Sequence, residues 1–144
     1  MVEATVDDEK WEEQEQEIES LTYIFPEEFK LNKEKPYNFE IMINSNTESE
    51  EKNFLKLRIT FDLQEEYPNV VPYFRIKNFS PDYLANAVLD KYEEEMKEMA
   101  QESIGSMMIF QMCDFLKEKI TEVNDKVLEK LDEIEQASSL TNAL

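Results

Sequence analysis

Tyr67-Pro68-Asn69-Val70-Val71-Pro72 is the most constrained stretch of this 144-residue sequence. Its two prolines fix two backbone dihedrals and delete two amide donors, so the segment is barred from the middle of a sheet. Each proline also pushes the residue before it, Tyr67 and Val71, toward an extended conformation. The segment therefore reads as a stiff looped turn that opens on a ring bearing a hydroxyl. Such a ring can pack on the core while its hydroxyl bonds loop backbone.

Moving outward, a period of two lies before this turn. Leu55 to Asp62 alternates Leu, Leu, Ile and Phe with Lys, Arg, Thr and Asp, and Tyr37 to Ile43 keeps its apolar residues at odd positions. One oily face and one charged face mean an antiparallel sheet with one side in water. Phe29-Lys30-Leu31 makes a short first strand, Tyr73 to Lys77 a fourth, and the polar segment Asn44 to Asn53 a charged hairpin loop.

Helical spacing takes over at both ends. From about Asp8 to Phe25, Trp11, Ile18, Leu21 and Phe25 fall on one stripe, and Glu12, Glu13, Glu15, Glu17 and Glu19 take the rest. Asp7, Asp8 and Glu9 sit where the positive end of the helix favours anions, and Pro26 ends it. After the sheet, Ser80-Pro81-Asp82 has the form of a helix start, with Ser as cap and Pro in the first position. Leu84, Val88, Tyr92, Met96 and Met99 mark that helix, and Gly105 interrupts it. A last helix follows through Met108, Met112, Phe115 or Leu116, Ile120, Val123, Val127, Leu131 and Ile134. From about Asn124 its apolar seam is thin, so this part either projects or pairs with another helix. The order predicts an α+β sandwich, α-β-β-β-β-α-α, with one layer of helices on the covered face of a four-stranded antiparallel sheet. The domain is expected over 9–123, with a flexible stretch at 1–8 and a helical extension with a frayed tail over 124–144.

Composition narrows the chemistry. There are 34 acidic residues against 15 Lys and Arg, a net charge of −19, one Gly, one Cys and no His. Without His there is no histidine base, no His-ligated zinc and no Ser-His-Asp triad. One Cys makes neither an internal disulfide nor a cysteine zinc site, which suits a reducing compartment. One Gly cannot build a phosphate loop or a dinucleotide fingerprint. So acidic a chain is repelled by nucleic acid and by anionic lipid. No apolar run reaches the roughly 18 residues of a membrane span, and MVEATVDDEK has neither part of a secretory signal. The expectation is a cytoplasmic protein with no cofactor, no metal site and no catalytic residue.

Three segments in order carry a family resemblance. The first is Glu15 to Phe29, an acidic helix ending in an aromatic-proline-acid turn. The second is Tyr67 to Pro72, and the third is Gly105-Ser106-Met107-Met108-Ile109-Phe110. Together, over roughly Glu12 to Ile120, the sequence resembles the RWD domain, whose hallmark is a YPxxxP turn between its last two strands. Phe25 stands where Tyr is commoner, and the terminal helix runs on. Two groups look most similar: small RWD-containing proteins that regulate DRG-type GTPases on ribosomes, and the RWD domain of the general-control kinase. The first group carries further C-terminal sequence for the GTPase, beyond the equivalent of Leu144. The resemblance implies protein binding in translation control, to a DRG-type GTPase or a large helical-repeat activator. It also implies a fold like that of ubiquitin-conjugating enzymes. Those enzymes need a nucleophilic Cys, preceded by His-Pro-Asn, soon after the fourth strand, but Lys77 to Asp90 contains neither Cys nor His. Transthiolation is therefore rejected, and a catalytically inactive fold that binds ubiquitin-pathway partners stays as the alternative.

Tyr67, Pro68, Pro72, Pro26 and Gly105 are read first as structural, with a recognition surface at the turn as the alternative. Glu65, Glu66, Glu93, Glu94, Glu95, Glu98 and Glu102 are the candidates for receiving a partner with a basic or helical surface, against the plainer reading of solvated faces. Met96, Met99, Met107, Met108 and Met112 are core first and an adaptable surface second. Cys113 is a buried thiol whose neighbour Asp114 raises its pKa. Trp11 anchors the first helix to the sheet, or else is an exposed interface hot spot.

Overall fold

The computed structural model describes residues 2–143, and side chains over residues 11–137. Helix α1 spans Val2–Ile24, strands β1 to β4 span Phe29–Lys33, Asn38–Asn44, Lys56–Asp62 and Tyr73–Asn78, and helices α2 and α3 span Asn86–Glu102 and Ile109–Ala143. The strands form one antiparallel meander in the order β1-β2-β3-β4, as the alternating pattern predicts.

Register and pleat decide which residues share a face. Phe39 pairs with Phe61, Ile41 with Ile59 and Ile43 with Leu57, and all six are buried. The helices cover this face with Ile18 and Leu21 of α1, Leu89, Met96 and Ala100 of α2, and Ile109, Met112, Cys113, Leu116 and Ile120 of α3, in one continuous core. The opposite face carries Lys30, Glu40, Lys56, Arg58, Arg75 and Lys77, because side chains alternate along each strand. Both arginines of the chain lie on it.

Three expectations change. Helix α1 begins at Val2, so Asp7, Asp8 and Glu9 fall after its first turn; their side chains lie outside the described ones. The expected flexible stretch at 1–8 and frayed end from Ala137 fall largely on residues whose side chains are likewise outside them. Ser80 does not cap α2. Its Oγ accepts the Lys56 N–H at 3.0 Å, and only a single turn forms, with the Leu84 N–H on the Ser80 carbonyl at 3.0 Å. The Asn78 side-chain amide takes the Leu84 carbonyl at 2.9 Å, so the turn cannot continue and α2 starts after Ala85. That restart puts Leu89 in the core and leaves Val88 at 40% exposure. Finally, Asn124 is buried rather than the start of a projection. Its Oδ1 accepts from Ser45 Oγ and from the Phe54 N–H, each at 2.9 Å, and its Nδ2 donates to the Lys52 carbonyl at 2.9 Å. Asn53 gathers the other side of this loop, accepting the Ser45 and Asn46 amides at 2.9 and 3.1 Å. Beyond Asn124 the helix leaves the body, and Leu131 and Ile134 are exposed.

Replacing Asn124 by Ala orphans the Phe54 N–H and the Lys52 carbonyl, and should lower unfolding free energy by about 2 kcal/mol. Ile134→Ser should stay within about 0.5 kcal/mol. Urea denaturation of both variants checks this, and equal, small effects would show that the polar fastening is dispensable.

Candidate functional site

The Tyr67 hydroxyl donates to Glu17 Oε1 at 2.6 Å and accepts the Met108 N–H at 3.0 Å. Glu17 Oε2 accepts the Ile109 N–H at 3.1 Å. A carboxylate and a phenol thus hold two amides at the start of α3, where unsatisfied donors and the helix dipole favour a negative group. The backbone that the hydroxyl meets, Met108, belongs to the α2–α3 loop and not to its own turn, where four carbonyls are bonded by other groups. Gln14 Nε2 donates to the Gln64 and Tyr67 carbonyls at 2.9 and 3.1 Å, Gln64 Nε2 to the Val71 carbonyl at 2.9 Å, and the Gly105 N–H to the Pro68 carbonyl at 2.8 Å. Gly105 has φ +99°, a conformation that side chains disfavour, so the glycine lets the α2–α3 turn reach Pro68.

Pro68 and Pro72 are buried with Tyr67, so the turn is an internal brace and not an open recognition surface. The Tyr67–Pro68 and Lys35–Pro36 peptides are cis. Pro26 is exposed and follows the end of α1, as predicted. Glu17, which the sequence pattern assigns to the solvated face, is 5% exposed, and Gln14 is fully buried. The signal is present in the spacing, since 11, 14, 18, 21 and 25 step by three and four, and 17 adjoins 14 and 21. Polar residues on an apolar stripe are the mark of the brace.

Burial holds the Glu17 carboxyl above the ordinary carboxylate range, against the stabilising bonds from Tyr67 and Ile109, and Glu13 adds to the rise. Burial likewise pushes up the Tyr67 phenol and the Cys113 thiol, the latter further raised by Glu17 and Asp114. Cys113 is 1% exposed. Met96, Met108 and Met112 are core; Met99 is half-buried and Met107 exposed.

The acidic candidates separate into three settings. Glu93 pairs with Lys97 at 3.8 Å and Glu95 with Lys119 of α3 at 3.9 Å, both half-buried. Glu94, Glu98 and Glu102 are exposed and four residues apart, so they form one outer line on α2. Glu65 and Glu66 are exposed at a different place, in the turn before Tyr67. They border a hollow of about 500 Å³ whose wall includes Trp11, Tyr37 and Tyr73. Trp11 is half-buried, edge-on to Tyr37 with ring centroids 5.8 Å apart. The Tyr37 hydroxyl donates to Glu15 at 2.8 Å, and Lys35 lies 3.5 Å from the same carboxylate. Among the described residues no group of acidic, Cys or His side chains is arranged to hold a metal ion.

A four-stranded meander covered on one face by helices, with a proline-braced turn fastened to the start of its last helix, defines an interaction module of the ubiquitin-conjugating-like fold. The chain belongs to the RWD domain family, whose model matches residues 12–120. It is 32% identical over 106 residues to an RWD domain-containing protein of Schizosaccharomyces pombe, covering 73% of this chain and 49% of that one. It is 28% identical over 111 residues to the E3 ubiquitin-protein ligase RNF25 of Danio rerio, covering 75% of this chain and 21% of that one. The chain thus spans about half the length of the first relative and a fifth of the second. The solution structure of the RWD domain of mouse GCN2 has the same fold, with a TM-score of 0.69 at 19% identity, covering 77% of this chain and 85% of that domain.

Two substitutions test the brace. Tyr67→Phe should cost about 2–3 kcal/mol, since it removes a donor from a buried carboxylate and an acceptor from a buried amide. Glu17 carries a raised folded-state pKa, so its stabilising contribution is full below the ordinary value of 4.5 and is lost as pH rises through the raised value. The stability advantage of wild type over Glu17→Gln should therefore shrink from pH 4.5 to pH 7, the other carboxylates cancelling in the difference. Urea denaturation across that range reads it, and an advantage that grows with pH would contradict the assignment.

Proposed function

We propose that this chain is a non-catalytic adaptor of translation control in the cytoplasm, docking a basic or amphipathic helical surface of a protein partner on α2. The observation that carries the reading is the exposed line Glu94, Glu98 and Glu102, which has no ion-pair partner among the described residues. Membership in a family of interaction modules supports it. The single thiol is buried and held protonated, and the sequence has no His to activate it, which argues against Cys113 as a nucleophile. The partners in view are a DRG-type GTPase and a helical-repeat translation activator. Charge is also segregated, with acidic helices on one side and the basic open sheet face on the other, which orients an approaching partner as well as attracting it.

A second reading is an adaptor for ubiquitin-pathway proteins, favoured by the similarity to a protein named an E3 ubiquitin-protein ligase. Calorimetric titration with purified DRG-type GTPase, helical-repeat activator, ubiquitin and a conjugating enzyme separates the two. The first reading expects tight binding to the GTPase or the activator. It expects at least tenfold weakening by Glu94→Lys with Glu98→Lys and Glu102→Lys, and similar weakening in high salt. Binding to ubiquitin or the conjugating enzyme alone would replace it with the second reading. Undiminished binding by the triple variant would remove α2 as the docking face.

A further inference from the structure

The hollow beside Trp11 is built from two kinds of group. Trp11, Pro36, Tyr37 and Tyr73 supply aromatic and apolar wall, and Asp62, Gln64, Glu65 and Glu66 supply the polar part. Tyr73 is 68% exposed, so the wall is open to a ligand arriving from solvent. Its space, about 500 Å³, exceeds what one long side chain fills.

Three of the polar groups at the wall are carboxylates, Asp62, Glu65 and Glu66. Asp62 takes one neutral bond, from the Asn38 amide, and neither Asp62 nor Glu66 has an ion-pair partner among the described residues. Gln64 has its Nε2 committed to the Val71 carbonyl and its Oε1 buried, so the acceptors open to a ligand are the carboxylates. Lys35, which precedes Pro36 in the wall, is drawn to Glu15 at 3.5 Å. Aromatic faces attract cations, more strongly where water is partly excluded. Aromatic walls and carboxylates without an ion-pair partner together ask for one chemistry: an apolar stem ending in a positively charged donor.

We infer that this hollow binds the side chain of an arginine or lysine in an extended basic segment of a partner polypeptide, with the cationic head against Trp11 and Tyr73 and its N–H groups on Asp62 and Glu66. This deepens the adaptor reading and rests on it, while using none of the acids of the α2 line. The net charge of −19 draws such a segment toward the chain, and the hollow fixes where it seats.

Trp11 is the sole tryptophan, so its emission reports the site directly. The full chain would be titrated with a seven-residue peptide of alternating glycine and arginine, with its lysine counterpart, and with the neutral citrulline version. The expected result is a saturable change in Trp11 emission with the two cationic peptides and none with citrulline. Asp62→Asn combined with Glu66→Gln should weaken the response at least tenfold, as should Tyr73→Ala, an exposed position that cannot unfold the domain. The Glu94, Glu98 and Glu102 reversal should leave the response within about twofold, since none of the three lines the hollow. No saturable change, an equal response to citrulline, or loss on reversing the α2 line and not on changing Asp62 and Glu66, would each overturn the site. Should the peptides fail while the α2 reversal still abolishes partner binding, the adaptor reading survives and the hollow alone is rejected.

Discussion

The buried carboxylate of Glu17 meets the Tyr67 hydroxyl and the two amides that open α3. The rest of the domain is arranged around that meeting. It joins the first helix, the turn between the last two strands and the last helix, and its partners lie 50 and 92 residues from Glu17 along the chain. A charged group in the core is tolerable only when its oxygens are fully engaged, and here both are. The same geometry explains why the turn is rigid. Its carbonyls must face Gln14, Gln64 and Gly105 while its ring points inward, and two prolines hold the backbone in that shape.

This brace is concerned with stability, and it leaves the surface free for recognition. Prolines that look available for binding are spent on the interior, whereas the acids flanking them remain in water beside an aromatic hollow. On α2, the run Glu93-Glu94-Glu95 does not act as a unit. Successive residues on a helix point about 100° apart, so the outer two are drawn to lysines on either side and only the middle one joins Glu98 and Glu102. The open sheet face carries the opposite sign. The molecule therefore presents a distinct charge to each direction of approach, although its composition suggests a uniformly acidic body.

Much of the architecture is legible in the order of residues alone. The strand pairs Phe39–Phe61, Ile41–Ile59 and Ile43–Leu57 follow from strict alternation, because a slip of one residue would turn every oily side chain into water. The break at Pro26 and the interruption at Gly105 are equally plain. The start of α2 departs from expectation because Ser80 satisfies the local rule for a cap and yet is claimed by β3, and the stripe shifts from Val88 to Leu89 with it. Glu17 and Asn124 depart for a related reason: a polar residue among acidic neighbours looks solvated until its partner is known.

Local periodicity, side-chain stiffness and proline geometry are properties of neighbouring residues, and so the sequence by itself determined the elements, their order, the covered face of the sheet and the absence of any histidine chemistry. Whether a given carboxylate is a buried brace, half of a helix-to-helix ion pair or an open anchor depends on which distant donor reaches it. Only the tertiary structure decided that Glu17 is the brace and Glu95 half of an ion pair, because hydrogen bonds and ion pairs are set by distances of about 3–4 Å that the order of residues does not encode.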